Sequence, residues 1–197
     1  MAIKRAEFIK SYADPQLVPK DGLPQIALLG RSNAGKSSLI NSITGVAGLA
    51  KTSAAPGLTR LVNVFSIDKQ YELVDLPGYG YAKASKTERD RLMELISGFL
   101  SFAHRLTLVV IILDSRLGAT PIDKEVIEQV QQSGLPFILI ANKADKPSRN
   151  ELTQVVQSLK QAYPGVPVFA HSTVTGVGRG EMLDTFLQAS KRSLVSG

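Results

Sequence analysis

Three near-continuous apolar runs punctuate the chain: IALL at Ile26–Leu29, LTLVVIIL at Leu106–Leu113 and FILIA at Phe137–Ala141. Short unbroken runs of this kind predict strands buried on both faces, as in a parallel sheet. Apolar residues recur at helical spacing in Ser37–Ile43, Lys86–Phe102, Ile122–Gln132, Glu151–Ala162 and Glu181–Ser193, which predicts amphipathic helices between and after the runs. Leu61–Ile67 and Tyr71–Asp75 read as two more strands, joined by Asp68-Lys69-Gln70, a connection short enough for an antiparallel hairpin. Val166–Ala170 reads as the last strand. The alternation predicts an α/β doubly wound sheet of about six strands, mostly parallel with one antiparallel edge strand and helices on both faces. Ligands in such sheets sit at the carboxyl ends of the strands. Met1–Asp21 is expected to be an N-terminal extension on the surface, and residues 22–197 the single domain proper.

GRSNAGKS, residues 30–37, lies between the first run and the first helix and fits G-x-x-x-x-G-K-[ST]. Glycines at such positions let successive backbone N–H groups face inward around a phosphate, and the following helix aims its positive end at the same anion. Gly30 and Gly35 supply the unusual backbone angles, and the cradle runs through Arg31, Ser32, Asn33 and Ala34. Lys36 reaches toward the β- and γ-phosphates, the Ser37 hydroxyl is a ligand for Mg²⁺, and Ser38 completes the nucleotide-binding stretch.

Further polar stretches fall at the other strand ends. In VDLPG, Asp75 can orient Mg²⁺ through water, while Leu76 and Pro77 lead to Gly78, whose N–H can sense a γ-phosphate. Upstream, TSAAPGLTR contains Pro56, Gly57, Leu58 and Thr59; the Thr59 hydroxyl and N–H are the pair needed by a segment that orders on a triphosphate. NKAD follows FILIA and bears on the base: the Asp145 carboxylate matches guanine N1–H and N2–H₂ together, whereas adenine offers an acceptor at N1 and no 2-amino group. Lys143 would cover one face of the base with its stem, Asn142 would brace the loop against the phosphate cradle, and Ala144 lies between Lys143 and Asp145. In HSTVTG, Ser172 fixes a turn whose Thr173 and Val174 place backbone N–H groups near guanine O6.

Composition narrows the setting. The chain has no cysteine, which excludes disulfides and thiolate metal sites. The start MAIKRAEFIK has no apolar signal core, and Leu106–Leu113 is too short to cross a bilayer, so a soluble protein with no membrane partner is expected. The 197 residues include 23 Lys and Arg against 17 Asp and Glu, a net charge of +6 that suits a polyanionic partner. Tyr79, Tyr81, Lys83, Lys86, Arg89 and Arg91 mix aromatic and basic side chains just past Gly78 and are candidate RNA contacts. His104 and His171 lack ligand-spaced neighbours and read as structural.

GRSNAGKSSLIN, TSAAPGLTR, DLPGYGYAK, NKAD and Ser172-Thr173, in this order, resemble the EngB (YihA/YsxC) family of bacterial ribosome-biogenesis GTPases over nearly the whole chain. The resemblance implies a P-loop GTPase that is monomeric and cytoplasmic, binds GTP and GDP with Mg²⁺ at Ser37, Thr59 and Asp75, and helps assemble the large ribosomal subunit through its rRNA and proteins, with links to cell cycle and septation. It also implies catalytic parts for Lys36, Thr59, Gly78 and Asn33, the last by helping to hold K⁺ beside the phosphates. The chain departs from the family at Leu58 and Arg60, which flank Thr59, and at Thr173, where related GTPases carry alanine. Many GTPases place a water-orienting glutamine after D-x-x-G; Tyr79 stands there and cannot act as that amide does, so slow intrinsic hydrolysis is expected. Two other readings stay open: a nucleotide-regulated RNA-binding module with incidental hydrolysis, and an ATP-dependent phosphotransferase, against which NKAD and the absence of an arginine-rich lid argue.

Overall fold

The computed structural model describes residues 3–19, 21–51, 61–80, 86–102 and 104–192. The strands are β1 (Ala6–Tyr12), β2 (Gln25–Gly30), β3 (Val62–Ile67), β4 (Tyr71–Asp75), β5 (Leu106–Asp114), β6 (Phe137–Asn142) and β7 (Val168–His171). The helices are α1 (Lys36–Thr44), α2 (Lys86–Phe102), α3 (Pro121–Gln132), α4 (Arg149–Ala162) and α5 (Arg179–Arg192). Among the described residues a seven-stranded sheet runs in the order β1-β3-β4-β2-β5-β6-β7. β3 pairs antiparallel with both β1 and β4, while β2 with β4 and β5, β5 with β6, and β6 with β7 pair in parallel. Of these strands, β3 therefore runs against all the others.

The expected antiparallel strand is present, but it is not the edge. Part of the segment read as a surface extension, Ala6–Tyr12, adds an outer strand beside it. Its register slips between Phe8 and Lys10, which spoils the alternation a sequence reading depends on and leaves Phe8 and Ile9 half exposed. Phe8 meets Phe65 of β3 edge-on, with ring centroids 5.7 Å apart. The β3–β4 hairpin turns at Asp68 and Lys69, whose φ values of 50° and 55° give the twist that matches the strands. Asp68 Oδ1 then accepts from the N–H groups of Lys4 (2.9 Å) and Arg5 (2.6 Å), tying the new strand to this turn.

Alternation along β2 and β5 divides the interior. Ala27, Leu29, Val109, Ile111 and Leu113 face a core completed by Ile96, Phe99 and Leu100 of α2, Val126, Ile127 and Val130 of α3, and Leu159 of α4. Ile26, Leu28, Val110 and Ile112 face the other, completed by Leu39, Ile40 and Ile43 of α1 and by Met182, Leu183 and Phe186 of α5. Each Val, Leu, Ile, Phe or Met side chain so removed from water stabilises the fold by about 1.5–3 kcal/mol. Four helices, α1, α3, α4 and α5, start one or two residues earlier than periodicity suggests, and at two of them a polar cap sets the start. Thr120 forms a capping box with Asp123 at α3, and Ser148 does so with Glu151 at α4. β7 is displaced toward the chain's carboxyl end, so that His171 comes to lie beside Asn142.

Candidate nucleotide-binding site

At the end of β2 the backbone passes too close to β5 for a side chain. A Cβ on Gly30 would stand 2.9 Å from the carbonyl oxygen of Ile112. The loop then turns through Asn33 at φ 66° and Gly35 at φ 99°. A Cβ on Gly35 would lie 2.4 Å from Asn142 Nδ2, so both conformation and space require glycine there. Ala34 N–H closes the turn onto Arg31 O at 3.0 Å. α1 begins at Lys36 with no side-chain cap, which leaves its first amides available to an anion. Ser37 and Ser38 open that helix.

The β4 end supplies the opposite charge. Asp75 is buried, its Oδ1 has no hydrogen-bond partner among the described residues, and Lys36 Nζ stands 3.9 Å from that oxygen. Burial pushes the Asp75 carboxyl up, against the pull of Lys36 and a hydrogen bond from Asn63. A buried carboxylate oxygen without a partner, across from an uncapped helix start that carries a serine hydroxyl, suits a hydrated divalent cation.

Beyond Leu76 and Pro77 the chain lies on the phosphate loop. Arg31 and Tyr79 form a parallel bridge. Ser32 N–H donates to Tyr79 O at 2.7 Å, Tyr79 N–H to Gly30 O at 3.3 Å, and the Ser32 hydroxyl to Gly78 O at 3.3 Å. A Cβ on Gly78 would sit 3.0 Å from Ser32 N and 3.2 Å from Lys36 Nζ, so glycine permits this approach. Tyr79 is fully buried and its hydroxyl donates to Asp123 Oδ1 at 2.9 Å. Burial first, then Asp123, keeps that phenol protonated far above its ordinary range. The reading of Tyr79 as an RNA contact is thus corrected: its ring is held inside, where it anchors the segment after Gly78. Arg89, another expected RNA contact, donates from Nη2 to both carboxylate oxygens of Glu125 on the surface.

At the β6 end the structure gathers the base loop. Asn142 Nδ2 donates to Ala34 O at 2.8 Å, the brace expected between the two loops. Lys143, at φ 60°, extends Nζ to Asn33 O at 2.6 Å and Asp114 Oδ2 at 2.9 Å. Burial opposes charge on Asp114, but hydrogen bonds from Arg116 and Lys143 outweigh it and hold the carboxyl well below the usual range. Ala144 N–H donates to His171 O at 2.9 Å. Asp145 Oδ1 accepts the Ser172 hydroxyl at 2.7 Å, and that bond, the largest influence on it, lowers the Asp145 carboxyl below its ordinary value. The Ser172 oxygen also accepts from the N–H groups of Val174 and Thr175, both at 3.2 Å, which shapes the exposed turn holding Thr173.

The phosphate loop, Asp75, Gly78, the NKAD loop and Ser172–Val174 therefore converge at the carboxyl ends of β2, β4, β6 and β7. Pro56, Gly57, Leu58 and Thr59 lie outside the described residues, as do Tyr81 and Lys83. Three residues of the site escape sequence reasoning. Asp114 ends β5 one residue past the apolar run, a position at which a strand-end acid is a recognisable signal. Asp123 passes as an ordinary helix cap. His171 gives no motif signal, since its neighbours come from other elements.

A nest of amides at a strand-to-helix turn, a buried acid at the next strand's end and a carboxylate anchored for a purine define a P-loop guanine-nucleotide-binding protein. Residues 25–143 match the model of the 50S ribosome-binding GTPase family. The probable GTP-binding protein EngB of Chlorobaculum tepidum is 40% identical over 192 residues, covering 95% of this chain and 100% of the relative. That of Clostridium perfringens is 41% identical over 188 residues, covering 93% and 95%. The chain belongs to the EngB family of GTPases. In fold it resembles the crystal structure of a probable GTP-binding protein EngB (TM-score 0.69, 22% identity, 85% of this chain and 99% of that one). It also resembles Era solved in complex with MgGDPNP and part of 16S ribosomal RNA (TM-score 0.66, 23% identity, 86% and 57%).

Proposed function

We propose that this GTPase is a slow, magnesium-dependent switch that assists assembly of the large ribosomal subunit, acting as a cytoplasmic monomer whose GTP hydrolysis is accelerated by its partner. The observation that carries the reading is the pairing of Asp145 with Ser172 beside a phosphate loop braced by Asn142. It leaves the carboxylate ionised and oriented to accept two guanine N–H groups, and ATP would leave it unpaired. Sites built to hydrogen-bond a group reject analogues lacking it by about 10⁴-fold or more.

Ser37, Thr59 and Asp75 are the residues that would hold Mg²⁺, which would supply positive charge against the triphosphate oxygens. Lys36 and the amides of residues 30–37 neutralise the same oxygens. Gly78 reports the γ-phosphate through its N–H. The Tyr79 side chain is buried against Asp123 and offers no group to orient the attacking water, which supports intrinsic turnover at roughly 10⁻⁴ to 10⁻² s⁻¹. Asn33 would help hold K⁺, which would supply charge that an arginine from elsewhere would otherwise bring. Support for the ribosomal partner comes from the family's description as 50S ribosome-binding and from the net charge of +6.

The test is salt-dependent cosedimentation with purified large subunits under GTP and under GDP, with turnover measured alongside. GTP-dependent association and faster turnover support the reading. Equal, fast hydrolysis with and without subunits rejects it, and binding indifferent to nucleotide leaves an RNA-binding module instead. Replacing K⁺ by Na⁺ slows turnover if Asn33 acts as stated.

A further inference from the structure

His171 is fully buried at the end of β7, and its ring meets Asn142 of the base loop and the helix that follows the phosphate loop. Nδ1 lies 2.9 Å from Asn142 Oδ1 and Nε2 lies 3.4 Å from the Ser42 hydroxyl of α1. We infer that His171 is a positioning residue for nucleotide retention: it fixes which way the Asn142 amide faces and so locks the base loop onto the phosphate cradle.

The two ends of an asparagine amide are nearly the same shape, yet only one can serve here. Ala34 O needs a donor, and the amide nitrogen supplies it at 2.8 Å. With Nδ1–H donating to Oδ1, the reverse orientation would set N–H against N–H and oxygen against oxygen. One proton on the ring satisfies every partner: Nδ1–H goes to Asn142, and bare Nε2 accepts from Ser42. Burial keeps the ring neutral by pushing its pKa down to about 4, with the nearby Asp145 charge pulling the other way. The backbone of the same residue accepts from Ala144 N–H at 2.9 Å, so His171 holds NKAD by both main chain and side chain. A Cβ on Gly35 would fall against the Asn142 amide nitrogen, so the cradle backbone passes directly beside this junction.

The inference rests on guanine nucleotide occupying the site, which GDP binding by the unaltered chain establishes separately. The experiment follows release of a fluorescent GDP from full-length H171F, H171N and H171Q by stopped flow. Loss of one oriented hydrogen bond predicts GDP release roughly tenfold faster in H171F. In H171N the new side-chain nitrogen falls where Nδ1 was, so the rate returns close to the original. In H171Q the longer side chain carries its nitrogen nearer the place of Nε2, and the rate does not recover. Combined with Asn142→Ala, H171F adds little further. Equal release from H171F and H171N, or an undiminished H171F effect without Asn142, overturns the inference. Long-range ¹⁵N–¹H spectra of the unaltered protein provide a check independent of variant folding: a protonated Nδ1 is expected, and a protonated Nε2 contradicts it.

Discussion

At the base end of the site, Asn142, Lys143, Asp145 and Ser172 have their polar atoms engaged by protein partners, from Ala34 O and Asn33 O to the Ser172 hydroxyl. At the phosphate-sensing end the pattern reverses: Asp75 Oδ1 is buried without a partner among the described residues, and α1 starts with no side-chain cap on its first amides. The first arrangement is preorganised, so recognition of guanine does not wait on the phosphates. The second is completed by what binds. A switch needs both, since an end that holds GDP and GTP alike retains the nucleotide while the other end distinguishes them.

The largest effects should come from the preorganised end. Asp145→Asn replaces an acceptor with an amide donor facing guanine N–H groups; GTP and GDP affinity should fall by about 10³-fold or more. Xanthine nucleotides, which carry a carbonyl where guanine has the 2-amino group, should bind the variant better than guanine nucleotides do, as displacement titrations would reveal. Gly35→Ala forces a side chain into φ 99° and into Asn142. Strain of about 1–3 kcal/mol should appear in urea melts, with nucleotide binding lost by calorimetry.

At the sensing end, Tyr79→Phe removes a buried hydroxyl from Asp123, and stability should drop by about 1–3 kcal/mol. Acid should act on the base end through His171. Its folded pKa is depressed from 6.5 to about 4, so its contribution to stability is present above 6.5 and is lost as pH falls toward 4, with Asp145 the charged group facing the ring. Melting temperatures of wild type and H171F across that window should converge toward the acid end. The smallest change is expected from Arg89→Ala on the exposed Glu125 pair: urea melts should barely move, with GDP affinity unaltered.

Much of this is legible in the sequence because the relevant rules are local. Unbroken apolar runs locate β2, β5 and β6, and strand-end glycines and acids locate the loops between them. β1 escapes because the shift between Phe8 and Lys10 breaks its alternation, and what holds it is pairing with β3, a strand distant along the chain. Tyr79 misleads for a related reason: an aromatic in a Gly-rich loop reads as exposed until Asp123 and α3 close over it. Asp114 and His171 owe their roles to partners on neighbouring elements, and spacing along the chain does not encode that proximity.

The most direct test of the central claim is the affinity of the purified chain for GTP, GDP and ATP by competition against a fluorescent GDP. Asp145 and its Ser172 anchor predict that both guanine nucleotides displace the probe and that ATP is weaker by about 10⁴-fold or more. ATP competing as well as GTP would contradict the account.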